Sequence, residues 1–149
     1  MSSTTIYKPI DILVVEDNEI DLEAVQRAFK KANITNPVHN AWDGVEALEM
    51  LSGKNGKQKL PQPCIVLLDI NMPRMDGIKL LKELRKSDDD CLQQSIVFML
   101  TTSKLSGDRM LAYESNVAGY FLKEDLGELV KLLDSYCKIN QFSDFGEGI

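Results

Sequence analysis

Four places in this 149-residue chain hold residue types that could share one reaction, and each follows a short apolar run. Residues 10–15 lead into Glu16-Asp17-Asn18, and residues 64–68 lead into Asp69. Residues 96–100 lead into the hydroxyls Thr101, Thr102 and Ser103, and residues 117–122 lead into Lys123. Were Glu16, Asp17 and Asp69 to meet, three carboxylates would repel one another unless a cation sat between them. Hard oxygen donors in such a set favour Mg²⁺, with water completing the shell. A lysine and a hydroxyl beside that cation make a pocket for a tetrahedral anion. Asp69, in line with the anion, could attack phosphorus and form an acyl phosphate. Such a site works mostly by positioning and charge neutralisation.

The elements that must position these groups are legible in the periodicity. The central stretch, 64–77, reads CIVLLDINMPRMDG. Its apolar, β-branched start predicts a strand buried on both faces, as in a parallel sheet. Asn71, Pro73, Asp76 and Gly77 then spell a turn into a helix. Residues 10–15 predict the first strand, and Asn18 an N-cap for an amphipathic helix over 19–32. Residues 38–41 predict a short, polar edge strand, and Val45, Leu48 and Leu51 a second helix. Residues 52–63 read as a polar loop, long for a compact domain. Ile78, Leu81 and Leu84 predict a third helix, ending near the acid run 88–90, which reads as a solvated loop. A strand over 96–100, a helix over 106–115 closed by Asn116, a strand over 117–122 and a helix striped by Leu126, Leu129, Val130, Leu133 and Tyr136 follow. Five strands alternating with five helices give a doubly wound parallel α/β sheet. In that fold all strand C-termini face one crevice, where open sheets bind ligands. The implied organisation is a loose lead-in over 1–9, one domain over 10–138 and a tail over 139–149 without an evident partner.

Composition narrows the function classes. Asp plus Glu number 23 against 17 Lys plus Arg, a net charge of −6. A nucleic-acid surface would need a basic face, so none is expected, whereas a partner with positive patches suits this chain. The three cysteines, Cys64, Cys91 and Cys137, are scattered, which suggests neither a zinc site nor a disulfide framework. The N-terminus lacks signal-peptide character and no apolar run spans a membrane, so a soluble, cytoplasmic protein is expected.

The segments VVEDN at 14–18, LLDINMPRMDG at 67–77, MLTTS at 99–103 and GYFLK at 119–123 resemble the CheY-like receiver domain of two-component response regulators. The long 52–63 loop, MLTTS and the tail look most like the stand-alone receivers that accompany bacterial phytochromes. The resemblance implies a flavodoxin-like sheet of order 2-1-3-4-5. It implies a phosphoprotein in which Asp69 accepts a phosphoryl group from a sensor histidine kinase, such as a phytochrome-like kinase, in a Mg²⁺-dependent reaction. By position, Glu16, Asp17, Asp69 and the Asn71 carbonyl hold the metal, while Thr101 and Lys123 bind the phosphoryl group. Thr101 and Tyr120 form the switch, and Asn71 and Ser103 tune dephosphorylation. Output would pass through a surface of the fourth helix, last strand and fifth helix, to a downstream protein or a phosphotransfer protein. Family members often pair as homodimers through that face. Such a domain catalyses its own phosphorylation and dephosphorylation and is not a turnover enzyme.

Two departures stand out. The acidic pair is Glu-Asp where Asp-Asp is commonest, and Glu124 follows Lys123 where the family usually carries proline. The second motivates an alternative, a receiver-fold interaction module independent of phosphorylation. A Mg²⁺ phosphohydrolase would need an acid two residues after the nucleophile, and Asn71 stands there. Taken singly, Asp69 would read as a helix cap, Lys123 as a solvated lysine and Tyr120 as a half-buried strand aromatic. His39, the single histidine, reads as a structural edge-strand residue, and Trp42 as packing beside the rim.

Overall fold

The computed structural model describes residues 7–61, 64–70, 77–93, 95–101, 116–139 and 142–143. Its centre is a parallel sheet of five strands: β1 Asp11–Val15, β2 Val38–Ala41, β3 Cys64–Leu68, β4 Ile96–Thr101 and β5 Gly119–Leu122. Their order is β2-β1-β3-β4-β5, the expected doubly wound arrangement. Strand β2 lies at an edge, as its short polar sequence predicts. Strand β3 lies at the centre with every residue buried. In register, Val15 stands beside both Ala41 and Leu68, and Met99 beside both Leu68 and Tyr120, so the strand ends finish together.

The two faces of the sheet bury separate cores, because side chains alternate along each strand. Val66 and Leu68 join Leu13, Val15, Val97 and Met99 under α2 Gly44–Ser52 and α3 Gly77–Lys86. Ile65 and Leu67 join Ile12, Val14, Phe98 and Leu100 under α1 Glu19–Lys31 and the C-terminal helix α5 Leu126–Ile139. The helices supply Leu51, Leu80, Leu81 and Leu84 to the first core and Leu22, Val25, Phe29, Leu129 and Leu133 to the second.

Local chemistry fixes the helix ends. The Asn18 side chain accepts from the Asp21 N–H at 3.0 Å, which is the expected N-cap of α1. Asp43 caps α2 in the same way, through the Glu46 N–H at 2.8 Å. Helix α2 ends on Gly53 at φ 72°, where a side chain would also press on Lys59. Asn116 takes the left-handed conformation anticipated for it, at φ 60°.

Several details differ from expectation. The loop after α2 is not wholly polar, since Leu60 is buried and its N–H donates to the Met50 carbonyl. The acid run 88–90 is not simply solvated: Asp89 pairs with Lys59 at 3.0 Å, and Asp90 opens a single helical turn, α4 Asp90–Gln93. Arg85 donates to the carbonyls of Gln93, Ser95 and Asn116, joining the end of α3 to the approaches of β4 and β5. A short strand Tyr7–Lys8 pairs antiparallel with Phe142–Ser143, so the lead-in and the tail meet each other. The helix expected over 106–115 lies outside the described residues.

Candidate functional site

Sequence places Glu16, Asp69 and Lys123 one residue past β1, β3 and β5, and the parallel register turns that into proximity. The Glu16 N–H donates to the Ala41 carbonyl at 3.0 Å, and the Asp69 N–H to the Val15 carbonyl at 3.2 Å. The sheet ladder thus continues through the first residue of each acidic turn. The start of α3 lies close against this strand end, and the Gly77 N–H donates to the Ile70 carbonyl at 2.8 Å. A Cβ on Gly77 would lie 2.2 Å from the Asp69 carbonyl oxygen, so this approach requires glycine.

One carboxylate oxygen from each of Glu16, Asp17 and Asp69 lies within 4.8 Å of the others. Glu16 and Asp69 are buried, whereas Asp17 faces solvent. Lys123 reaches into this group. Its Nζ lies 2.6 Å from Glu16 Oε1, 2.8 Å from Asp21 Oδ2 and 3.3 Å from Asp69 Oδ2. The second Glu16 oxygen accepts from the Asn18 N–H at 3.3 Å.

The electrostatics follow from burial and crowding. Burial pushes the Glu16 carboxyl up to about 7, against the pull of its hydrogen bond to Lys123, and the charge of Asp69 adds to the rise. Burial by itself would lower Lys123, but hydrogen bonds to Asp21 and Glu16, with the charges of Asp69 and Glu16, reverse that and raise it. One ammonium therefore serves several acids and stays charged. The donor set fits a hard divalent cation: clustered carboxylate oxygens, two of them buried, with more negative charge than Lys123 offsets.

Of the predicted site residues, Glu16, Asp17, Asp69 and Lys123 come together. Tyr120 is buried on β5, in the core cluster that also holds Met99. Thr101 ends β4, beside Leu122; its side chain, Asn71 and Ser103 lie outside what is described. Asp21 was not anticipated. It stands in the first turn of α1, where an acid is common for the helix dipole alone, so its residue type gave no signal of a site role. His39 lies on the edge strand β2 away from this cluster, with its Nε2 2.7 Å from Asp11 Oδ2 at the opposite end of β1. Trp42, expected to pack beside the rim, is 48% exposed.

Comparison with known proteins identifies the family. The profile of the response regulator receiver domain matches residues 12–134. The chain is 33% identical over 132 residues to response regulator Rcp1 of Synechocystis, covering 86% of this chain and 88% of that protein. The solved Mn²⁺-bound form of Rcp1 superposes with a TM-score of 0.72, covering 86% of this chain and 91% of that one. A two-component response regulator from Legionella pneumophila is 40% identical with a TM-score of 0.73, over 85% of this chain and 96% of that one. The phosphorylated cyanobacterial phytochrome response regulator RcpA is 26% identical with a TM-score of 0.77, over 91% and 99%. The match covers both the sheet and the residues at its acidic edge, and this chain therefore belongs to the response regulator receiver domain family of two-component systems.

Proposed function

We propose that Asp69 accepts a phosphoryl group from a sensor histidine kinase, in a Mg²⁺-dependent step, and that the modified domain signals through protein contact. The observation that carries this reading is the meeting of Glu16, Asp17 and Asp69 beside Lys123. Two similar proteins lend support: Rcp1 has been solved with Mn²⁺ and RcpA in a phosphorylated form.

In this reading Glu16, Asp17, Asp69 and the Asn71 carbonyl hold the cation. A bound Mg²⁺ supplies charge neutralisation for the incoming phosphoryl group. An Asp69 carboxylate oxygen bonds to phosphorus as the donor's N–P bond breaks, and the leaving imidazole keeps the electron pair. Lys123 and the Thr101 hydroxyl bind phosphoryl oxygens. Thr101 and Tyr120 then bias a two-state surface that includes β5 and α5. Asn71 and Ser103 set how fast the group is lost. A phytochrome-like kinase is the proposed donor, and a downstream protein or phosphotransfer protein the receiver, with this chain acting in the cytoplasm.

Intact-mass measurement after incubation with acetyl phosphate tests the site. Wild type gains one phosphoryl group when Mg²⁺ is present and none after chelation, and Asp69→Asn gains none. Undiminished uptake by Asp69→Asn would refute the assignment.

A further inference from the structure

We propose that Asp21 is a positioning residue for Lys123. Its carboxylate tethers the lysine ammonium at the mouth of the pocket, from an element that carries none of the other site residues. An ammonium has three protons to donate. Here three carboxylates take them, at 2.6 Å for Glu16, 2.8 Å for Asp21 and 3.3 Å for Asp69. Lys123 is thus held more closely by the two acids of the β1–α1 region than by Asp69.

These two partners are not equivalent. The Glu16 side chain is 3% exposed, whereas that of Asp21 is 37% exposed, so Asp21 draws Lys123 from the solvent side. Its backbone is anchored in the first turn of α1, where the Asp21 N–H donates to the Asn18 side chain at 3.0 Å. Glu16 and Asp69 belong to the carboxylate cluster assigned above to a cation and a phosphoryl group, and Asp21 lies outside that cluster. When those two acids engage their ligands, Asp21 is the one of these three carboxylates still free of that role and able to hold Lys123 in place. A long flexible side chain with one retained anchor keeps its geometry, and misplacement of a positioned group slows a reaction steeply. This consequence for rate rests on Asp69 being the acceptor; the tether itself does not.

The test uses the full chain, ¹⁵N-labelled at lysine and free of divalent ions, and follows the Lys123 ammonium resonance, assigned by its loss in Lys123→Arg. Wild type shows a resonance protected from exchange with water. Asp21→Asn loses that protection and is phosphorylated by acetyl phosphate and Mg²⁺ about tenfold more slowly. Asp21→Glu recovers both. Glu19→Gln removes another exposed acid of the same helical turn and changes neither, which separates the tether from a general effect on α1. An unchanged resonance in Asp21→Asn would overturn the tether. A lost resonance with an unchanged rate would overturn the positioning role. If wild type took up no phosphoryl group, the acceptor reading would fall, and the resonance would still decide the tether.

Discussion

The two ends of β1 carry the same kinds of group in opposite balance. At its start, Asp11 meets one base, His39, at 2.7 Å on the neighbouring edge strand. At its finish, Glu16 shares the single ammonium of Lys123 with Asp21 and Asp69, and Asp17 stands within the same cluster. A matched pair satisfies itself and needs nothing more. An acid-rich cluster at a sheet edge holds charge that burial makes costly, and folding alone gives no reason to keep it. Surplus charge of one sign, rather than the presence of an ion pair, therefore distinguishes the site from the scaffold.

The sharpest way to break the acid-rich end is steric. Gly77→Ala would put a Cβ 2.2 Å from the Asp69 carbonyl oxygen and 2.8 Å from Ile70 Cα. Backbone on both sides leaves no flexible neighbour to yield. We expect a loss of about 3 kcal/mol or more in urea unfolding, together with loss of Mg²⁺-dependent phosphorylation.

The next contrast is electrostatic. Glu16 titrates at about 7 in the folded, ion-free protein against an ordinary value of 4.5. Between those values the folded chain keeps a proton that the unfolded chain has released. The contribution of Glu16 is therefore complete below about pH 4.5 and is lost as pH rises through about 7. Relative to Glu16→Gln, wild type should lose up to about 3 kcal/mol across that window when chelator is present. An identical pH slope in the two proteins would show that burial and crowding do not hold a proton on Glu16.

The matched end should respond least. His39→Gln removes the base that faces Asp11, with both side chains partly open to water. We expect a change of about 1 kcal/mol or less in thermal unfolding and no effect on phosphorylation. A large loss of phosphorylation there would erase the contrast between the two ends.

Much of this was readable in the sequence. The run at 64–68 announces a doubly buried strand because no position on it is polar, and Asp69 stands out as the first acid after it. Lys123 and Glu16 are legible for the same reason, each ending an apolar strand. The Asn18 cap follows from residue type and place alone. What could not be read depends on distance in three dimensions. Asp21 looks like any acid in the first turn of a helix until Lys123 arrives from 102 residues away. Arg85 looks like an ordinary basic helix end, yet it donates to three carbonyls on later segments. The Tyr7–Lys8 pairing with Phe142–Ser143 is two residues long, too short for any alternation to show.

Titration of the ion-free protein with Mn²⁺, followed by paramagnetic broadening of backbone amide signals, locates the end of β1 at which a divalent cation settles. Signals of Glu16, Asp17, Asp69 and Lys123 should vanish at substoichiometric Mn²⁺, while those of Asp11 and His39 at the other end of β1 persist. Broadening that begins at Asp11 and His39, or that spreads evenly over both ends, would contradict that placement of the cation.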